Sequence, residues 1–518
     1  MNHHDIGRTM LRTLTIPAPV DAVLSGTYTA SGRVLLTYLK AEDEGIKDFY
    51  RVATVDDDGT DFHEVFAGVI PQLPGANGVR FMCFADNKRI LLGDYVLECT
   101  PDMDTCTSAQ LLPIQYPPMA GADDPNAMHW SEIVISPDSQ YMAWTVLSGM
   151  RGSVNLIARL VRTENGYTLE EMRKISSMQM LVPDAQRPGF MQMGVIRGGE
   201  IKQFVRGGAA LSLVGMGSET RIADSVLQAL DTDEVLQITH TPCYDETTIF
   251  SPDERLGIVM STRFSPSTNC AILALLPRPY MKLSLGGLTL PIYMYSVATV
   301  RRSGSGNIGP ALIDINSSLH EDGYLGVDLS DPENEWVYHS PMSWHPSSKR
   351  AMWNERRRGG SEGRVRIVEL LDYEPATAVE AVPVPSDIPY ATPVMTIEPE
   401  ALGNEDTFKI AGQVGGYFEA SKDGDGKLFR YVDYTDDGVS FLRGEERFWQ
   451  MEGGYVYEGR LHLAGPKAGE MDLRIVFAQP SLWEAATIDM GADLDGQPKS
   501  RGFARYDGKT LKVEDMSR

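Results

Sequence analysis

The chain has 518 residues, and 71 Asp and Glu against 47 Lys and Arg give it a formal net charge of −24. A surface this acidic is repelled by nucleic-acid phosphates and by anionic membranes, so nucleic acid is excluded as a partner. The 42% hydrophobic content excludes a disordered or collagen-like chain, and five cysteines are too few for a disulfide framework or a paired zinc site.

Residues 1–19 are predicted to be an N-terminal extension. The segment begins Met1-Asn2-His3-His4-Asp5 and lacks the apolar core of a signal peptide. We therefore expect either a cytoplasmic protein or one whose targeting segment is absent from this sequence.

Two cysteines lie close together in the sequence, at the ends of a turn-rich stretch. In an oxidising compartment, Cys99 and Cys106 are a candidate pair for a local disulfide that closes a hairpin. The alternative is a pair of buried thiols.

A strand-turn-strand pattern recurs along the chain. Ser136-Pro137-Asp138, set between two apolar runs, returns as Ser251-Pro252-Asp253 and, in degenerate form, as His345-Pro346-Ser347. Proline presets the first dihedral angle of a tight turn, and Asp or Ser caps its backbone. Three weaker copies occupy residues 30–36, 85–92 and 207–213.

The spacing of these hairpins is typical of four-stranded propeller blades. Ser136 and Ser251 lie 115 residues apart, and Ser251 and His345 lie 94 residues apart. Each offset fits two units of about 47 to 58 residues. Residues 20–389 are therefore predicted to form an all-β propeller of seven blades, with six or eight as alternatives.

Helix is scarce in the pattern. The clearest amphipathic stretch is 222–230, whose four apolar side chains fall on one helical face. We expect a short helix there.

One uncharged segment, residues 283–300, approaches the length of a membrane-spanning helix. Gly286-Gly287 and Pro291 interrupt such a helix, and the neighbouring leucines alternate with period two. The segment is predicted to form buried strands joined by a glycine turn, without a membrane span.

A proline-rich stretch, residues 382–393, is predicted to be an extended linker. Beyond it, residues 390–518 are predicted to form a β-rich domain, either a small appended sandwich, which we favour, or the closing blades of the propeller. Four strands are expected in it, at residues 428–434, 456–463, 471–478 and 502–513.

These residues carry a family resemblance. The Ser-Pro-Asp hairpins, the turn Asp56-Asp57-Asp58-Gly59 and the stretch Gln237 to Thr241 resemble the WD40-like repeats of TolB-type β-propellers, over residues 20–375. The resemblance implies a fold and leaves the activity open, because the family includes periplasmic scaffolds, oligopeptidase propellers and polysaccharide lyases. It implies a periplasmic or secreted protein, with a cytoplasmic one as the alternative.

Polar side chains precede three of the hairpins, where propeller loops converge on the central channel. Neutral imidazoles and carboxylates that meet there can bind a divalent metal or act as general acid and base. The alternative is that they only satisfy backbone groups at a solvated channel mouth. The catalytic candidates are His129, His240, His339, Glu132, Asp245 and Glu246.

A weaker resemblance to propeller-type oligogalacturonate lyases implies a histidine-rich metal site in the channel. On that resemblance, His129, His240 and His339 are the candidate ligands of Mn, Ca or Zn. No short-range ligand pattern supports the site, so it would have to be assembled from distant blades.

A basic island at residues 349–366 stands out in this acidic chain. Guanidinium groups bind carboxylates and phosphates through paired hydrogen bonds, although exposed charge on a blade loop is the simpler explanation. The candidate substrate-binding residues are Tyr244, His345, Arg356 and Arg358.

Three other motif matches are discounted. Residues 304–309 fit the dinucleotide fingerprint, but Pro310 follows and no helix is predicted there, so no nucleotide cofactor is expected. Residues 359–363 fit a nucleophile elbow without an α/β-hydrolase context. Residues 423–426 begin like a calcium loop, but Tyr434 takes the place of its final glutamate.

Two functions follow from this sequence. The first is binding of a small polar or anionic molecule at the channel, with lyase, hydrolase or isomerase chemistry by the histidines and carboxylates. The second is a non-catalytic scaffold for a protein or glycan partner.

Overall fold

The computed structural model describes most of the chain. Side chains are not described at 127–132, 148, 152 and 247. The described residues are 6–16, 20–71, 81–118, 127–148, 152–177, 179–215, 222–321, 323–398, 406–481 and 484–518.

Within these residues the chain forms six four-stranded antiparallel blades. Blade 1 contains β2 (Ala22–Tyr28), β3 (Val34–Leu39), β4 (Phe49–Val55) and β5 (His63–Val69). Blade 2 contains β6 (Phe81–Cys83), β7 (Arg89–Leu92), β8 (Tyr95–Thr100) and β9 (Ser108–Gln115). Blade 3 contains β10 (Ala127–Ile135), β11 (Tyr141–Ser148), β12 (Gly152–Thr163) and β13 (Gly166–Lys174).

Blade 4 contains β16 (Gly199–Val205), β17 (Ala210–Gly215), β18 (Asp224–Ala229) and β19 (Val235–Gln237). Blade 5 contains β20 (Asp245–Phe250), β21 (Leu256–Ser261), β22 (Gly309–Asp314) and β23 (Val327–Asp328). Blade 6 contains β24 (Trp336–Trp344), β25 (Arg350–Arg357), β26 (Gly363–Leu370) and the N-terminal strand β1 (Thr9–Thr13).

The N-terminal strand closes the ring. β1 lies antiparallel to β26, with Thr9 opposite Leu370 and Thr13 opposite Arg366. The predicted N-terminal extension thus supplies the outer strand of blade 6. The proposed domain boundaries themselves, at residues 19 and 389, stay predictions.

The prediction of an all-β propeller is confirmed, with six blades rather than the favoured seven. All six inner hairpins fall on the repeats found in the sequence, so each repeat marks one blade. The 94-residue offset between Ser251 and His345 spans one blade, not two, because a long insertion, residues 262–308, separates β21 from β22.

The helix expected at residues 222–230 is wrong. Asp224–Ala229 is the strand β18, and all six of its residues are buried. A strand covered on both faces carries apolar side chains at consecutive positions, and over so short a run these also satisfy a helical period.

The strands expected at residues 283–300 are also wrong, because this part of the insertion is helical. α1 spans Met281–Ser284, α2 spans Thr289–Met294, and a π-helical turn spans Tyr295–Val300. Pro291 lies in the first turn of α2, where the missing N–H removes no hydrogen bond. No helix in the described residues is long and apolar enough to cross a membrane. Blade 5 carries one further helix, α3, at Ile315–His320.

The C-terminal strands form a separate sheet and add no blade. Its first strand also pairs with a short hairpin that links blades 3 and 4. The hairpin strands are β14 (Leu181–Pro183) and β15 (Met191–Met193), and the sheet strands are β28 (Phe408–Ala411), β29 (Gly415–Asp423), β30 (Gly426–Thr435), β31 (Phe441–Met451), β32 (Gly454–Ala464), β33 (Gly469–Ala478), β34 (Thr487–Ile488), β35 (Arg501–Tyr506) and β36 (Lys509–Lys512).

This sheet wraps around the insertion of blade 5. The Arg278 guanidinium forms a fully buried ion pair with Glu446 on β31, with Nη2 2.5 Å from Oε1. Tyr295 packs its ring 6.2 Å from that of Phe477 on β33 and donates a hydrogen bond to a carbonyl near the C-terminus. The insertion is therefore the core of the C-terminal sheet as well as a loop of the propeller.

The proline-rich segment is extended, as predicted, and lies against the propeller. The backbone N–H of Val379 donates to Pro252, and that of Val382 donates to Gly207, both at the inner hairpins. β27 (Thr392–Pro393) then pairs with β13. The segment thus crosses the hairpin end of the propeller from blade 6 to blade 3.

Candidate functional site: the channel mouth

The innermost strands surround a central cavity of about 250 Å3. Among its described lining residues the one charged side chain is Lys202, which lies among apolar and aromatic neighbours such as Tyr28, Met82, Tyr338 and Trp344. A narrow apolar channel of this kind leaves polar chemistry to its ends.

We call the end at which the innermost strands begin the channel mouth. β21 runs towards this end and β22 runs away from it, so the insertion of blade 5 emerges there. Arg358 fixes the exit of the insertion, because its guanidinium donates to the backbone carbonyls of Arg301 at 2.6 Å and Gly306 at 3.1 Å. These contacts favour a structural role for Arg358 over the substrate contact expected from the sequence.

Lys202 is held between two carboxylates at the mouth. It is 3% exposed, and its Nζ lies 2.7 Å from Glu200 Oε1 and 3.8 Å from Glu246 Oε1. The rings of Tyr244 and Tyr293 lie 6.4 Å apart beside them. Burial, together with the charge of Glu246, raises the pKa of both tyrosines, so their hydroxyls stay protonated and can act as donors.

His339 lies on β24, the innermost strand of blade 6, which contacts the innermost strand of blade 5. Burial, followed by the positive charges of Arg301, Arg356 and Arg302, lowers the pKa of its imidazole to about 3. The imidazole is therefore neutral at physiological pH. Arg301 also lies over the ring of Tyr338, 5.9 Å from its centroid.

Arg301, Arg302 and Arg356 form what we call the arginine group. In the described part of the chain none of the three is paired with a carboxylate. Arg301 is partly buried, its Nε has no hydrogen-bond partner among the described residues, and its Nη2 lies 3.1 Å from the sulfur of Met260. Arg302 and Arg356 are exposed. Three unneutralised guanidinium groups stand out on a chain with a net charge of −24.

Asp245 is committed to an internal ion pair. Its carboxylate and the Arg263 guanidinium are both fully buried, with Nη2 2.8 Å from Oδ2. Thr241 and Ser261 donate their hydroxyls to the same carboxylate. A fully buried carboxylate that accepts from three donors in this way is placed to hold the loop that precedes β20 rather than to meet a ligand.

The remaining predicted residues lie in different places. Tyr244, Glu246 and His339 come together at the mouth, while His240 is partly buried in the turn after β19. His345 lies at the other end of the propeller, in the inner hairpin of blade 6, where Ser347 and Arg350 contact its ring nitrogens at 2.8 and 2.9 Å.

The side chains of His129 and Glu132 lie outside the described residues, although the backbone of both belongs to β10. Their predicted roles stay predictions.

The described residues do not fit the divalent metal expected from the resemblance. Among them no group of three or more His, Cys, Asp or Glu side chains could hold an ion. The charges nearest to His339 are those of the arginine group, which repel a cation. The same charges attract an anion.

Sequence reasoning missed the residues that define the mouth. Glu200 and Lys202 alternate on an inner strand, and Arg301-Arg302 ends the uncharged run that was taken for buried strands. A pair of arginines directly after eighteen uncharged residues was a usable signal.

No family model matches the sequence, and no curated protein matches it either. Solved structures give distant likenesses. An oligogalacturonate lyase from Vibrio parahaemolyticus is 8% identical, covering 70% of this chain and 98% of its own, with a TM-score of 0.36. TolB from Acinetobacter baumannii is 12% identical, covering 70% and 66%, with a TM-score of 0.30.

A periplasmic gluconolactonase from Pseudomonas aeruginosa is 10% identical, covering 94% of this chain and 98% of its own, with a TM-score of 0.32. Likenesses this distant carry no argument about function. The propeller assignment rests on the strand pairing, and membership of the TolB-like family stays a prediction.

Proposed function

We propose that the protein binds a small molecule bearing a carboxylate, phosphate or sulfate at the channel mouth, between the arginine group and Lys202. One observation carries the proposal: the charges of three guanidinium groups without a carboxylate partner in the described residues act on His339, and one of the three, Arg301, lies over Tyr338 on the same strand. Such groups bind oxyanions through short, charge-assisted hydrogen bonds. The acidic remainder of the surface makes non-specific anion binding unfavourable.

His339 links binding to chemistry. As long as the arginine group has no counterion, burial and the charge of that group together hold the pKa of the imidazole at about 3, so His339 is a weak base. An anion bound among the arginines offsets that charge and raises the pKa of the imidazole. The substrate would then activate its own general base, which supports a lyase, hydrolase or isomerase over a passive scaffold.

The protein should be titrated with inorganic phosphate, sulfate, citrate and a monomeric uronic acid. Calorimetry measures the binding, and NMR measures the pKa of the His339 imidazole with and without each anion. Arg302→Gln and Arg356→Gln remove exposed members of the arginine group, so both variants should fold. Each lost charged hydrogen bond should weaken binding by about tenfold or more. Anion binding should raise the pKa of His339 in the unmodified protein.

Arg357→Gln is the matched control. Arg357 is the sequence neighbour of Arg356 and is equally exposed, but it faces Glu362 and Glu335 at 3.4 and 4.0 Å. It should therefore leave binding unchanged. Equal weakening by all three variants, or no binding of any anion, would refute the site and leave the scaffold for a protein or glycan partner.

The compartment also stays a prediction. The resemblance favours a periplasmic or secreted protein, and fractionation of the native host separates this from a cytoplasmic one.

A further inference from the structure

A second cavity, far larger than the channel, lies where the propeller meets the C-terminal sheet. Its volume is about 890 Å3, and four parts of the chain line it. They are the hairpin β14–β15, the turn before β19, the start of α1 and the edge of the C-terminal sheet at β28 and β30. We call it the hairpin cleft. Small-molecule sites commonly occupy cavities of about 300 to 1,000 Å3 between structural units.

Tyr280 forms an aromatic wall of the cleft in a strained conformation. It precedes α1 with φ 61° and ψ 23°, in the left-handed region that a bulky side chain rarely adopts. Its ring packs 5.2 Å from that of Phe418. Strain of this kind persists where the surroundings hold it, and it concentrates at binding sites.

A hydrogen-bonded relay continues that wall. Tyr280 Oη lies 2.9 Å from the hydroxyl of the buried Tyr434, which lies 2.9 Å from both carboxylate oxygens of Asp436. The backbone N–H of Gln413 also donates to Asp436 at 2.7 Å. Each tyrosine has one proton to donate, so the relay orients the hydroxyls from Tyr280 towards the carboxylate.

The opposite wall and the floor complete the lining. Asp184 caps the backbone N–H of Gln186 at 2.8 Å, and Arg187 donates to the Gly412 carbonyl at 3.1 Å. The floor is apolar and includes Met191, Met193 and Ile410.

Two exposed glutamines flank the cleft. Within the described residues the side-chain amides of Gln192 and Gln413 make no hydrogen bond. Each amide offers two donors and an acceptor to a ligand.

The charges of the lining select the ligand class. Three carboxylates, Asp184, Asp233 and Asp436, face one guanidinium, Arg187, so the cleft repels anions. Asp233 is already paired with Arg197 at 2.7 Å, and Asp436 is satisfied by the relay, so little charge is left to hold a cation. What remains is a set of amide, carboxylate and phenol groups around an aromatic ring and an apolar floor. That set suits hydroxyl groups on an apolar ring.

We propose that the hairpin cleft binds a short neutral oligosaccharide, with one sugar ring on Tyr280 and hydroxyls held by Gln192, Gln413 and the Asp184 carboxylate. This site is separate from the channel mouth and does not depend on the proposed anion binding. The channel mouth is proposed to bind anions and the cleft is proposed to bind neutral sugars, so one ligand class does not serve both.

Binding should be measured by calorimetry on the full chain with maltotriose, cellotriose and xylotriose, with trigalacturonate and spermidine as the anionic and cationic probes. We expect at least one neutral trisaccharide to bind, and we expect substitutions in the cleft to leave the binding of both charged probes unchanged. The double variant Gln192→Ala/Gln413→Ala should weaken that binding about tenfold, the loss expected for two neutral hydrogen bonds.

Gln450→Ala is the control, since Gln450 is an exposed glutamine on β31 outside the cleft, and Arg302→Gln controls for the channel mouth. Both should bind the trisaccharide like the unmodified protein. The proposal fails if no neutral trisaccharide binds, if the double variant weakens the binding of a charged probe as much as that of the trisaccharide, or if the double variant and Gln450→Ala behave alike. Failure of the cleft proposal does not contradict the proposed anion site, because the effect of Arg302→Gln on anion binding tests that site separately.

Discussion

The buried pair Arg278–Glu446 should be the strongest single tie between the insertion and the C-terminal sheet. Both side chains are fully buried, and the guanidinium also donates to the carbonyls of Leu273 at 2.8 Å and Leu276 at 3.1 Å. Tyr457 donates to Glu446 at 2.7 Å. Arg278→Met leaves the carboxylate buried without its cation, and breaking a buried pair from one side costs about 3 to 5 kcal/mol.

The double variant Arg278→Met/Glu446→Met distinguishes the cost of an unpaired buried charge from the cost of lost side-chain packing. It leaves no buried charge, so it should lose much less stability than the sum of the two single variants. Its remaining loss comes from the two carbonyls that Arg278 no longer satisfies and from the Tyr457 hydroxyl that loses its acceptor, at about 1 to 3 kcal/mol for each group.

The assay is hydrogen exchange of residues 276–300, combined with thermal melting. The chain unfolds as several parts, so a local readout is needed beside the overall melting temperature. Arg278→Met should raise exchange across the insertion.

Arg460→Met is the matched control. Its pair with Asp472 lies on the outside of the same sheet, with side chains 82% and 63% exposed, so no measurable change is expected. If Arg278→Met proves as mild as Arg460→Met, or if the double variant loses the full sum, the reasoning about the buried pair is refuted.

Three further predictions concern titratable groups. Lys282→Met should stabilise the protein by about 1 to 3 kcal/mol at pH 7, because Lys282 is 3% exposed and its Nζ lacks a hydrogen-bond partner in the described chain. Burial lowers the pKa of the Lys282 ammonium, so the stability gained by Lys282→Met should decrease as pH rises towards 10.5. Urea unfolding measures this gain, and a Lys→Met variant at an exposed position should show none. The pKa of His339 is about 3 in the folded protein and 6.5 in the unfolded chain, so the free energy of unfolding should decrease as pH falls from 6.5 towards 3. The decrease is at most about 1.4 kcal/mol per pH unit, and His339→Asn should remove it. Burial raises the pKa of Cys99, and the neighbouring Cys106 adds to the shift, so the Cys99 thiol should resist oxidation; a thiol-reagent titration of the denatured protein should find all five thiols, and a count of three would show a disulfide.

Local turn chemistry made the propeller predictable. In the hairpin of blade 3, Ser136 Oγ accepts from the backbone N–H of Tyr141 at 2.8 Å, and in that of blade 5 Ser251 Oγ donates to Asp253 at 2.6 Å. These contacts are made within a few residues, so the sequence motif and the structure report the same interaction. The weaker copies, such as Gly207-Gly208, mark the other blades because positive φ angles recur there.

The site was less predictable because its residues come from segments whose structure depends on distant contacts. The alternating leucines of residues 283–300 predict strands, yet the segment is helical because its apolar side chains are covered by the C-terminal sheet. Asp245 has the position expected of a channel carboxylate. Its partner Arg263 follows β21 in the sequence, and the ion pair between them leaves Asp245 unable to bind a ligand. No local pattern reveals a partner of this kind.

The insertion explains both the wrong blade preference and the missed site. Because it lengthens blade 5 by about one blade's worth of chain, the hairpin offset suggested an extra blade, and the same segment that distorted the spacing carries Arg301 and Arg302. Nearer its middle the insertion carries Tyr280, which lines the hairpin cleft. Five regular blades and the irregular blade 5 form the ring, and blade 5 supplies residues to both candidate sites, as expected when binding groups are placed on loops of a rigid scaffold. Arg278 lies two residues before Tyr280, so the buried ion pair that anchors the insertion in the C-terminal sheet also holds Tyr280 at the cleft.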